Sequence, residues 1–305
     1  MNVCAGGPAM RFDVIVVGGS YAGMAAALQL ARARRRVLVL DGGQRRNRFT
    51  SHAHGVLTQD GRDPAAIAAD GRAQLLAYPD VTWRQDRAAR AARTGARFEV
   101  STESGDRFEG ERLILAYGVV DQLPPVPGLW ERWGRTVLHC PYCHGYELNQ
   151  GELGVLASGA LSLHQALLIP EWGPTTFFTN GVLIPDAGQR AQLAERGVKV
   201  EEESVLAVKG EAEVCLADGR SLSLAGLFVA PAIRAASDLA VQLGCETSDT
   251  PLGPVVKTDA RQATTVAGVF ACGDLARGAG SVSLAIGDGA MAGTATHQSL
   301  VFPAT

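Results

Sequence analysis

The sequence predicts an α/β protein with two similar parallel-sheet domains, the first of them discontinuous in sequence. A length of 305 residues is enough for about two domains of roughly 150 residues each. Apolar residues make up 47% and charged residues 19% of the chain, which is the composition of a packed globular protein. A pattern of strand, glycine turn and helix occurs twice, and this repeat indicates two domains of the same kind.

The first of these patterns lies near the start of the chain. Residues 12–17 (FDVIVV) form a β-branched apolar run, and a glycine turn at residues 18–23 follows it. Residues 24–31 are dense in helix formers, and residues 37–40 (VLVL) predict a second buried strand that ends at Asp41. Together these segments predict a βαβ unit.

The glycine turn of this unit predicts a dinucleotide site. The pattern Gly-x-Gly-x-x-Gly falls on Gly18, Ser20 and Gly23, so a serine stands at the middle glycine. Serine is small enough for the backbone to approach a pyrophosphate at the helix start. Asp41 lies close to the separation of about 20 residues at which an acidic side chain meets the ribose hydroxyls. The alternative is a glycine-rich turn without a ligand.

A polar loop over residues 42–61 follows, and its side chains suit contact with a ligand. It holds three arginines next to two histidines. A metal site at His52 and His54 is the alternative, but Cys or carboxylate partners at ligand spacing are missing nearby. Contact of these side chains with a bound cofactor is the preferred interpretation.

Further segments complete the two predicted domains. Prolines at residues 123–128 cannot continue a helix or a central strand, so they indicate a domain boundary. We expect a first domain over residues 11–122 and 251–305 and a second over residues 127–246. The other predicted elements are a helix at 64–76, strands at 81–84, 98–101, 107–108 and 112–116, a second strand–turn–helix at 153–156 and 161–168, and strands at 175–178, 198–200 and 227–230.

The segment that carries chemistry is His139-Cys-Pro-Tyr-Cys-His144. Pro141 favours the first turn of a helix, so Cys140 is expected at the helix start, where the positive dipole end stabilises a thiolate. Cys143 is then one turn later on the same face, and the two sulfurs can cycle between dithiol and disulfide. His144 places an imidazole where it can take or give the proton of thiol exchange.

Three other interpretations of this pair remain open. The pattern Cys140-x-x-Cys143-His144 also fits attachment of a c-type haem. A structural zinc site would need four ligands, and the sequence has no second C-x-x-C pair. Plain structural thiols are the third alternative. The other cysteines are interpreted as structural, with Cys272 near the cofactor but unreactive: Cys4, Cys215, Cys245 and Cys272.

The net charge and the hydropathy of the chain indicate which classes of partner to expect. The formal net charge of −3 offers no attraction to a polyanion, so nucleic acid is not an expected partner. No apolar run reaches the roughly 18 residues of a membrane helix. The first ten residues lack the basic start and apolar stretch of a signal peptide. We therefore expect a cytoplasmic protein that does not contact a membrane.

Three motifs in this order resemble the low-molecular-weight thioredoxin reductase family of FAD-dependent pyridine nucleotide-disulfide oxidoreductases. They are the turn at 18–23 with Asp41, residues 140–147 (CPYCHGYE), and residues 268–274 (GVFACGD) followed by 281–289 (SVSLAIGDG). The chain is also similar to the dithiol oxidases of the gliotoxin and holomycin type. This resemblance implies two Rossmann-like dinucleotide-binding domains and a homodimer.

The resemblance further implies that FAD is bound by the first domain. Asp274 would hold the ribityl chain, and backbone amides near residues 281–283 would face the pyrimidine edge of the flavin. Cys143 would be the sulfur nearest the flavin, and Cys140 the outer thiol that exchanges with substrate. The expected cofactor contacts are Gly18, Gly19, Ser20, Ala22, Gly23, Asp41, Gly42, Arg46, Asn47, His54, Gly118, Gly273, Asp274, Ser281, Val282 and Ser283.

The sequence departs from thioredoxin reductases at two places. His144 replaces the aspartate that follows their second cysteine, as in the dithiol oxidases. Residues 157–162 (ASGALS) keep one glycine of the NADPH turn, and residues 178–181 (FTNG) offer no cation for the 2′-phosphate. A Cβ in the turn crowds the pyrophosphate. These departures argue against a standard NADPH site, and a variant site that binds nicotinamide weakly is the alternative.

The predicted function is an FAD-dependent thiol-disulfide oxidoreductase. Electrons would pass between a substrate dithiol or disulfide, the pair Cys140 and Cys143, and the flavin. The substrate would be a small molecule or a thioredoxin-like protein. The alternatives are an NADPH-dependent thioredoxin reductase and, from another class, a flavin-binding redox sensor whose cysteine pair changes state without turnover.

Overall fold

The computed structural model describes residues 10–278 and 280–302. Cys4 and most of the N-terminal segment considered for a signal peptide lie outside these residues. The first group of elements surrounds the predicted βαβ unit. In chain order it comprises β1 (Met10–Val17), α1 (Tyr21–Arg32), β2 (Val37–Leu40), α2 (Pro64–Leu76), β3 (Val81–Arg84), β4 (Ala88–Thr94), β5 (Arg97–Thr102), β6 (Arg107–Leu115) and β7 (Val119–Gln122).

The second group of elements begins after the prolines, and a third group closes the chain. The second group comprises α3 (Leu129–Arg132), β8 (Val137–Leu138), α4 (Pro141–His144), β9 (Leu153–Leu156), α5 (Leu161–Leu168), β10 (Thr175–Phe178), α6 (Ala187–Glu195), β11 (Lys199–Glu201), β12 (Val205–Lys209), β13 (Glu213–Leu216), β14 (Ser221–Ser223), β15 (Gly226–Val229), β16 (Ala232–Ala235) and α7 (Leu239–Gln242). The third group comprises β17 (Thr247–Thr250), β18 (Gly253–Val256), β19 (Val269–Ala271) and α8 (Val282–Val301).

The first sheet confirms that the first domain is discontinuous in sequence. Its strands run in the order β3-β2-β1-β6-β5-β4, and β19 pairs with β6 from the far end of the chain. The central pairings are parallel, whereas β4, β5 and β6 pair antiparallel. The central strands are buried along their length because α1, α2 and α8 cover one face of the sheet, and residues of β4, β5 and α7 cover the other.

One strand of this sheet corrects the sequence analysis. The predicted strands at 107–108 and 112–116 are a single strand, β6, which pairs with β1 from Phe108 to Leu115. Gly110 and Glu111 lie between the two predicted segments. The structure shows the reason for the glycine: a Cβ at Gly110 would lie 2.9 Å from the side chain of Ile15. The glycine thus permits close packing within one continuous strand.

Helices α1 and α8 pack closely although they lie far apart in sequence. A Cβ on Gly289 would collide with the backbone carbonyl of Ala22, and one on Gly293 with that of Ala26. Small residues at this contact let the two helix backbones approach each other. The N-terminal ends of α1 and α8 therefore reach the same region of the molecule.

The second sheet is entirely parallel and confirms the second βαβ unit. Its strands run in the order β11-β10-β9-β15-β8, and the observed β9, α5 and β10 have the predicted bounds. The antiparallel ribbon of β7 and β16 lies between the two sheets in sequence. Leu239 and Ala240 of α7 pack in the core of the first sheet. The exact limits of the two domains stay a prediction.

Candidate functional site

One large cavity brings together the segments that the sequence analysis selected. Its volume is about 810 Å³, which is within the range of sites for small molecules and cofactors. Two predicted residues, Gly23 and Ser283, do not line it. Its lining includes Gly18, Gly19, Ser20, Ala22, Asp41, Gly42, Arg46, Asn47, His54, Gly118, Cys140, Cys143, His144, Gly273, Asp274, Ser281 and Val282.

The glycine turn forms one wall of the cavity at the start of α1. Gly18 has a φ of +107°, and a Cβ there would collide with the carbonyl oxygen of Ala116. A Cβ on Gly23 would collide with the carbonyl of Gly18, so Gly23 serves the packing of the helix against the turn. The Ser20 side chain makes no cap hydrogen bond. The first amides of α1 are therefore available to an anion.

Asp41 holds the turn from the end of β2. Its Oδ1 accepts hydrogen bonds from the backbone N–H groups of Gly19, at 3.3 Å, and Gly43, at 3.1 Å. The carboxylate lies in the cavity at the place where a βαβ unit binds ribose hydroxyls. The role of Asp41 in binding a ribose stays a prediction.

Arg46 is held between two carboxylates. Its Nε donates to Asp121 Oδ2 at 3.1 Å, and its Nη1 donates to Asp274 Oδ2 at 2.9 Å. Burial opposes the charge, but the hydrogen bond to Asp121 and the charge of Asp274 raise the pKa of Arg46 above its ordinary value. Because both carboxylates already engage this guanidinium, Arg46 holds the cavity wall together.

Arg45 and Asn47 leave polar atoms without partners in this wall. Arg45 Nε and Asn47 Oδ1 are buried without a hydrogen bond, and both residues line the cavity. Asn47 Nδ2 donates to the hydroxyl of Tyr21, the first residue of α1. An unpaired buried polar atom costs about 1–3 kcal/mol, so a polar ligand here would relieve that cost. The resemblance implies a cofactor contact at Arg46 but assigns no role to Arg45.

The two cysteines of the redox motif form a disulfide that faces the cavity. Cys140 is the N-cap of α4, Pro141 is its first residue, and the sulfurs of Cys140 and Cys143 are bonded, with Cα atoms 5.3 Å apart. The predicted helix start at Cys140 is confirmed. Both sulfur-bearing residues line the same cavity as the glycine turn.

Two histidines flank the disulfide. Burial lowers the pKa of His144, nearby His54 lowers it further, and Glu147 raises it. His139 precedes the disulfide and also lines the cavity, although the sequence analysis assigned it no role. Its Nδ1 lies 3.3 Å from the carbonyl oxygen of Val229, so this nitrogen carries the proton. Burial and then the charge of Arg46 lower the pKa of His139.

The start of α8 closes another side of the cavity. The Ser281 hydroxyl caps the helix by accepting from the Leu284 N–H at 3.1 Å. The Ser283 hydroxyl instead donates to the Gly55 carbonyl at 2.9 Å, outside the cavity lining. Cys272 lines the cavity, and burial raises the pKa of its thiol well above the ordinary value. This thiol stays protonated and unreactive at neutral pH.

In the second sheet, serine side chains of the turn between β9 and α5 bond to the backbone amides of that same turn. The buried hydroxyl of Ser162 accepts from the backbone N–H groups of Ser158, at 2.9 Å, and Gly159, at 3.3 Å. The hydroxyl of Ser158 donates to the Ala230 carbonyl at 2.6 Å. These amides are the groups that would meet a pyrophosphate at this turn. The Asn180 side chain is likewise engaged, because it accepts from the Val205 N–H at 2.8 Å.

The residues that the structure describes contain neither a metal cluster nor a membrane-spanning helix. Across residues 10–278 and 280–302, no cluster of three or more His, Cys, Asp or Glu side chains could hold a metal ion. In the described part of the chain, no helix combines the length and the apolar character needed to cross a bilayer.

Comparison with known proteins gives one family and several close structures. Residues 12–289 match the family described as Pyridine nucleotide-disulphide oxidoreductase. An oxidoreductase from Agrobacterium tumefaciens is 54% identical with a TM-score of 0.95, covering 97% of this chain and 100% of that one. The structure of HlmI is 34% identical with a TM-score of 0.91, covering 97% and 95%.

A curated relative covers a similar share of the chain. Thioredoxin reductase tcpT of Claviceps purpurea (strain 20.1) is 31% identical over 304 residues, which are 95% of this chain and 94% of the relative.

Proposed function

Because this chain belongs to the pyridine nucleotide-disulphide oxidoreductase family, we propose that it oxidises a dithiol to a disulfide through the pair Cys140 and Cys143. The electron pair then passes to FAD and on to molecular oxygen or another acceptor, without NADPH. The resemblance to thioredoxin reductases and the α/β fold class inferred from the sequence are confirmed. The protein is an FAD-dependent disulfide oxidoreductase.

The residues of the cavity suit FAD. The start of α1 would hold the pyrophosphate, Asp41 the ribose, and the amides at the start of α8 the flavin edge. The unpaired Asn47 Oδ1 offers a further acceptor for the cofactor. When bound, FAD would supply two-electron redox chemistry between the reduced cysteines and an acceptor.

The observation that carries the proposal is the position of the disulfide. Cys140 and Cys143 line the same cavity as Gly18 and Asp41, so one volume joins the sulfur pair to the dinucleotide site. Electron transfer between a dithiol and a flavin needs this proximity. A disulfide on a remote surface would have favoured a structural role.

The residues of this site account for each step of the thiol exchange. A substrate thiolate attacks Cys140 Sγ, a mixed disulfide forms, the Cys140–Cys143 bond breaks, and Cys143 leaves as a thiolate. His144 takes the proton that this substrate thiol loses. The second substrate thiol then attacks the mixed disulfide, the product disulfide forms, and Cys140 leaves with the proton of that thiol. The substrate loses two electrons and two protons, and the cysteine pair gains the two electrons.

Independence from NADPH is supported by the second sheet. Ser162 already engages the amides of Ser158 and Gly159, so a pyrophosphate would have to displace this hydroxyl. Without an internal nicotinamide donor, the substrate dithiol supplies the electrons. This favours oxidation over reduction of the substrate.

The partners in this proposal are a small dithiol or a thioredoxin-like protein, and a second copy of the chain. Within α8, Asp288 is the one charged carboxylate, and it is buried in an ion pair with Arg277. Leu284 and Met291, seven residues apart, instead lie on one exposed face of α8, and Ile286 is exposed on another side of the helix. A long uncharged face of this kind suits self-association, which supports a homodimer.

An anaerobic titration of the FAD-loaded protein tests the function. Dithiothreitol is expected to bleach the flavin absorbance, and NADPH is not. Bleaching by NADPH but not by dithiothreitol would contradict the proposal and favour a reductase.

Aerobic turnover separates the enzyme from a sensor. We expect sustained oxidation of dithiothreitol by the wild type and its loss in Cys140→Ser. Reduction of the flavin only once per molecule would instead identify a redox sensor.

A further inference from the structure

A tyrosine at the start of α1 joins three segments of the first domain through its hydroxyl group. The Tyr21 hydroxyl donates to the carbonyl oxygen of Pro64, the first residue of α2, at 2.9 Å. Asn47 Nδ2, from the loop between β2 and α2, donates to the same hydroxyl oxygen at 3.2 Å. Tyr21 is buried, and both Tyr21 and Asn47 line the large cavity.

These two hydrogen bonds fix the direction of the Asn47 amide. A carbonyl oxygen can only accept, so the single hydroxyl proton of Tyr21 is used on Pro64. Burial raises the pKa of Tyr21, so the hydroxyl keeps this proton at neutral pH. The hydroxyl oxygen then has only lone pairs to offer, and the NH2 group of Asn47 turns toward it. The amide oxygen Oδ1 is left on the other side.

Asn47 Oδ1 has no hydrogen-bond donor among residues 10–278 and 280–302, although it is buried. Arg45 Nε, two positions earlier, is also buried and unpaired, but it is a donor. The two atoms therefore need ligand groups of opposite polarity. Arg45 suits an oxygen of an ionised phosphate, whereas Asn47 suits a hydroxyl or an N–H group, because an ionised phosphate has no proton to donate to it.

We propose that Tyr21 is a positioning residue that holds Asn47 as a hydrogen-bond acceptor for a hydroxyl or N–H group of FAD. FAD carries such donors in its ribityl chain, at N3 of the flavin ring and in its adenosine part. The inference rests on the proposed binding of FAD in this cavity. It assigns a role to Tyr21, which the sequence analysis did not select.

A double-mutant cycle on the apoprotein tests the proposal by fluorescence titration with FAD. Asn47→Leu removes the acceptor and should weaken FAD binding about 10-fold. Tyr21→Phe leaves the amide without its partner and should weaken binding about 5-fold, because the cofactor must then order this side chain. The double variant should bind no more weakly than Asn47→Leu. Losses that multiply would show that Tyr21 acts on the fold and would overturn the proposal.

Tyr78→Phe is the matched control for the loss of a tyrosine hydroxyl. The Tyr78 hydroxyl accepts from Arg32 Nη1 at 3.1 Å, outside the cavity lining. Its loss should leave the affinity for FAD unchanged. An equal loss in Tyr78→Phe and Tyr21→Phe would contradict a specific role of Tyr21.

Two smaller ligands identify the donor group. Riboflavin lacks the phosphates and the adenosine, and lumiflavin lacks the ribityl chain as well but keeps N3–H. A loss of affinity in Asn47→Leu for all three ligands assigns the donor to the ring. A loss for FAD and riboflavin assigns it to the ribityl hydroxyls, and a loss for FAD alone assigns it to the adenosine. An unchanged affinity for FAD would overturn the proposal.

A readout without cofactor separates this inference from the proposed function. In the apoprotein, the side-chain NH2 signals of Asn47, assigned by their absence in Asn47→Leu, should exchange with water about 10-fold faster in Tyr21→Phe. Unchanged exchange would overturn the inference even if dithiothreitol reduces the flavin. If the wild type binds no FAD, the proposed function fails, while faster exchange still supports the orientation of Asn47 by Tyr21.

Discussion

The guanidinium of Arg46 and the carboxylate of Asp274 form an ion pair, with Nη1 2.9 Å from Oδ2. Asp121 shares the same guanidinium, so Arg46→Met would leave two largely buried carboxylates facing each other. We expect a loss of about 2–4 kcal/mol in the free energy of unfolding, measured by urea denaturation. Arg48→Met, at an exposed arginine, is the matched control, and an equal loss in both variants would contradict this account.

Arg45 is expected to bind the phosphates of the cofactor, because it lines the cavity and its charge acts on Tyr21 at the start of α1. Arg45→Met should weaken FAD binding about 10-fold, equivalent to about 1.4 kcal/mol. Fluorescence titration of the apoprotein measures this. Riboflavin lacks phosphates, so its affinity should not change; a matching loss for riboflavin would show that the arginine acts on the fold.

The roles of the two sulfurs can be separated by trapping. In Cys143→Ser, the remaining Cys140 should form a stable mixed disulfide with an added aromatic disulfide reagent, because the internal sulfur that would resolve it is gone. In Cys140→Ser, trapping at Cys143 should be much slower. Intact-mass spectrometry measures the adduct. Faster trapping at Cys143 would reverse the assignment of the outer sulfur.

The free cysteines of the described residues, Cys215, Cys245 and Cys272, should differ in reactivity at pH 8. Burial raises the pKa of Cys272 and of Cys245, so both thiols remain protonated at a pH where an ordinary thiol is partly ionised. Cys215 is partly exposed and should react with iodoacetamide before either of these two. Peptide mass spectrometry without reductant gives the order, and early labelling of Cys272 would contradict its burial.

Self-association through α8 is testable at Met291, whose side chain is 48% exposed. Met291→Glu would place a charge in an otherwise uncharged face and should convert a dimer into a monomer. Light scattering after size-exclusion chromatography gives the mass. If Met291→Glu has the same mass as the wild type, the dimer forms through a different face, or the protein does not form a dimer. Gln298→Glu, farther along the exposed face, tests whether the interface continues.

The sequence could predict elements whose signal is local. The bounds of β9, α5 and β10 follow from short apolar runs and helix formers, and the structure confirms them. The sequence did not predict β4 (Ala88–Thr94), because alanine and arginine have no strand preference. That strand exists because β5 pairs with it antiparallel, which is a tertiary cause.

The residues of the candidate site likewise divide into those with a local sequence signal and those that depend on tertiary contacts. Gly18 and Asp41 could be selected from spacing because the βαβ turn imposes it. The resemblance selected Arg46, but its ion pairs required the fold, since Asp121 and Asp274 come from distant segments. His139 was missed for the same reason: only the packing of β8 beside β15 brings it to Val229.

The packing of α1 against α8 has a consequence for the folding of the chain during synthesis. Residues 129–235 supply every strand of the second sheet, so that sheet can form while the ribosome is still working. The first sheet awaits β19, and α1 awaits Gly289 and Gly293. The cofactor site is therefore complete only after α8 has left the exit tunnel. Until then, the nascent chain holds a folded second sheet and an incomplete first sheet.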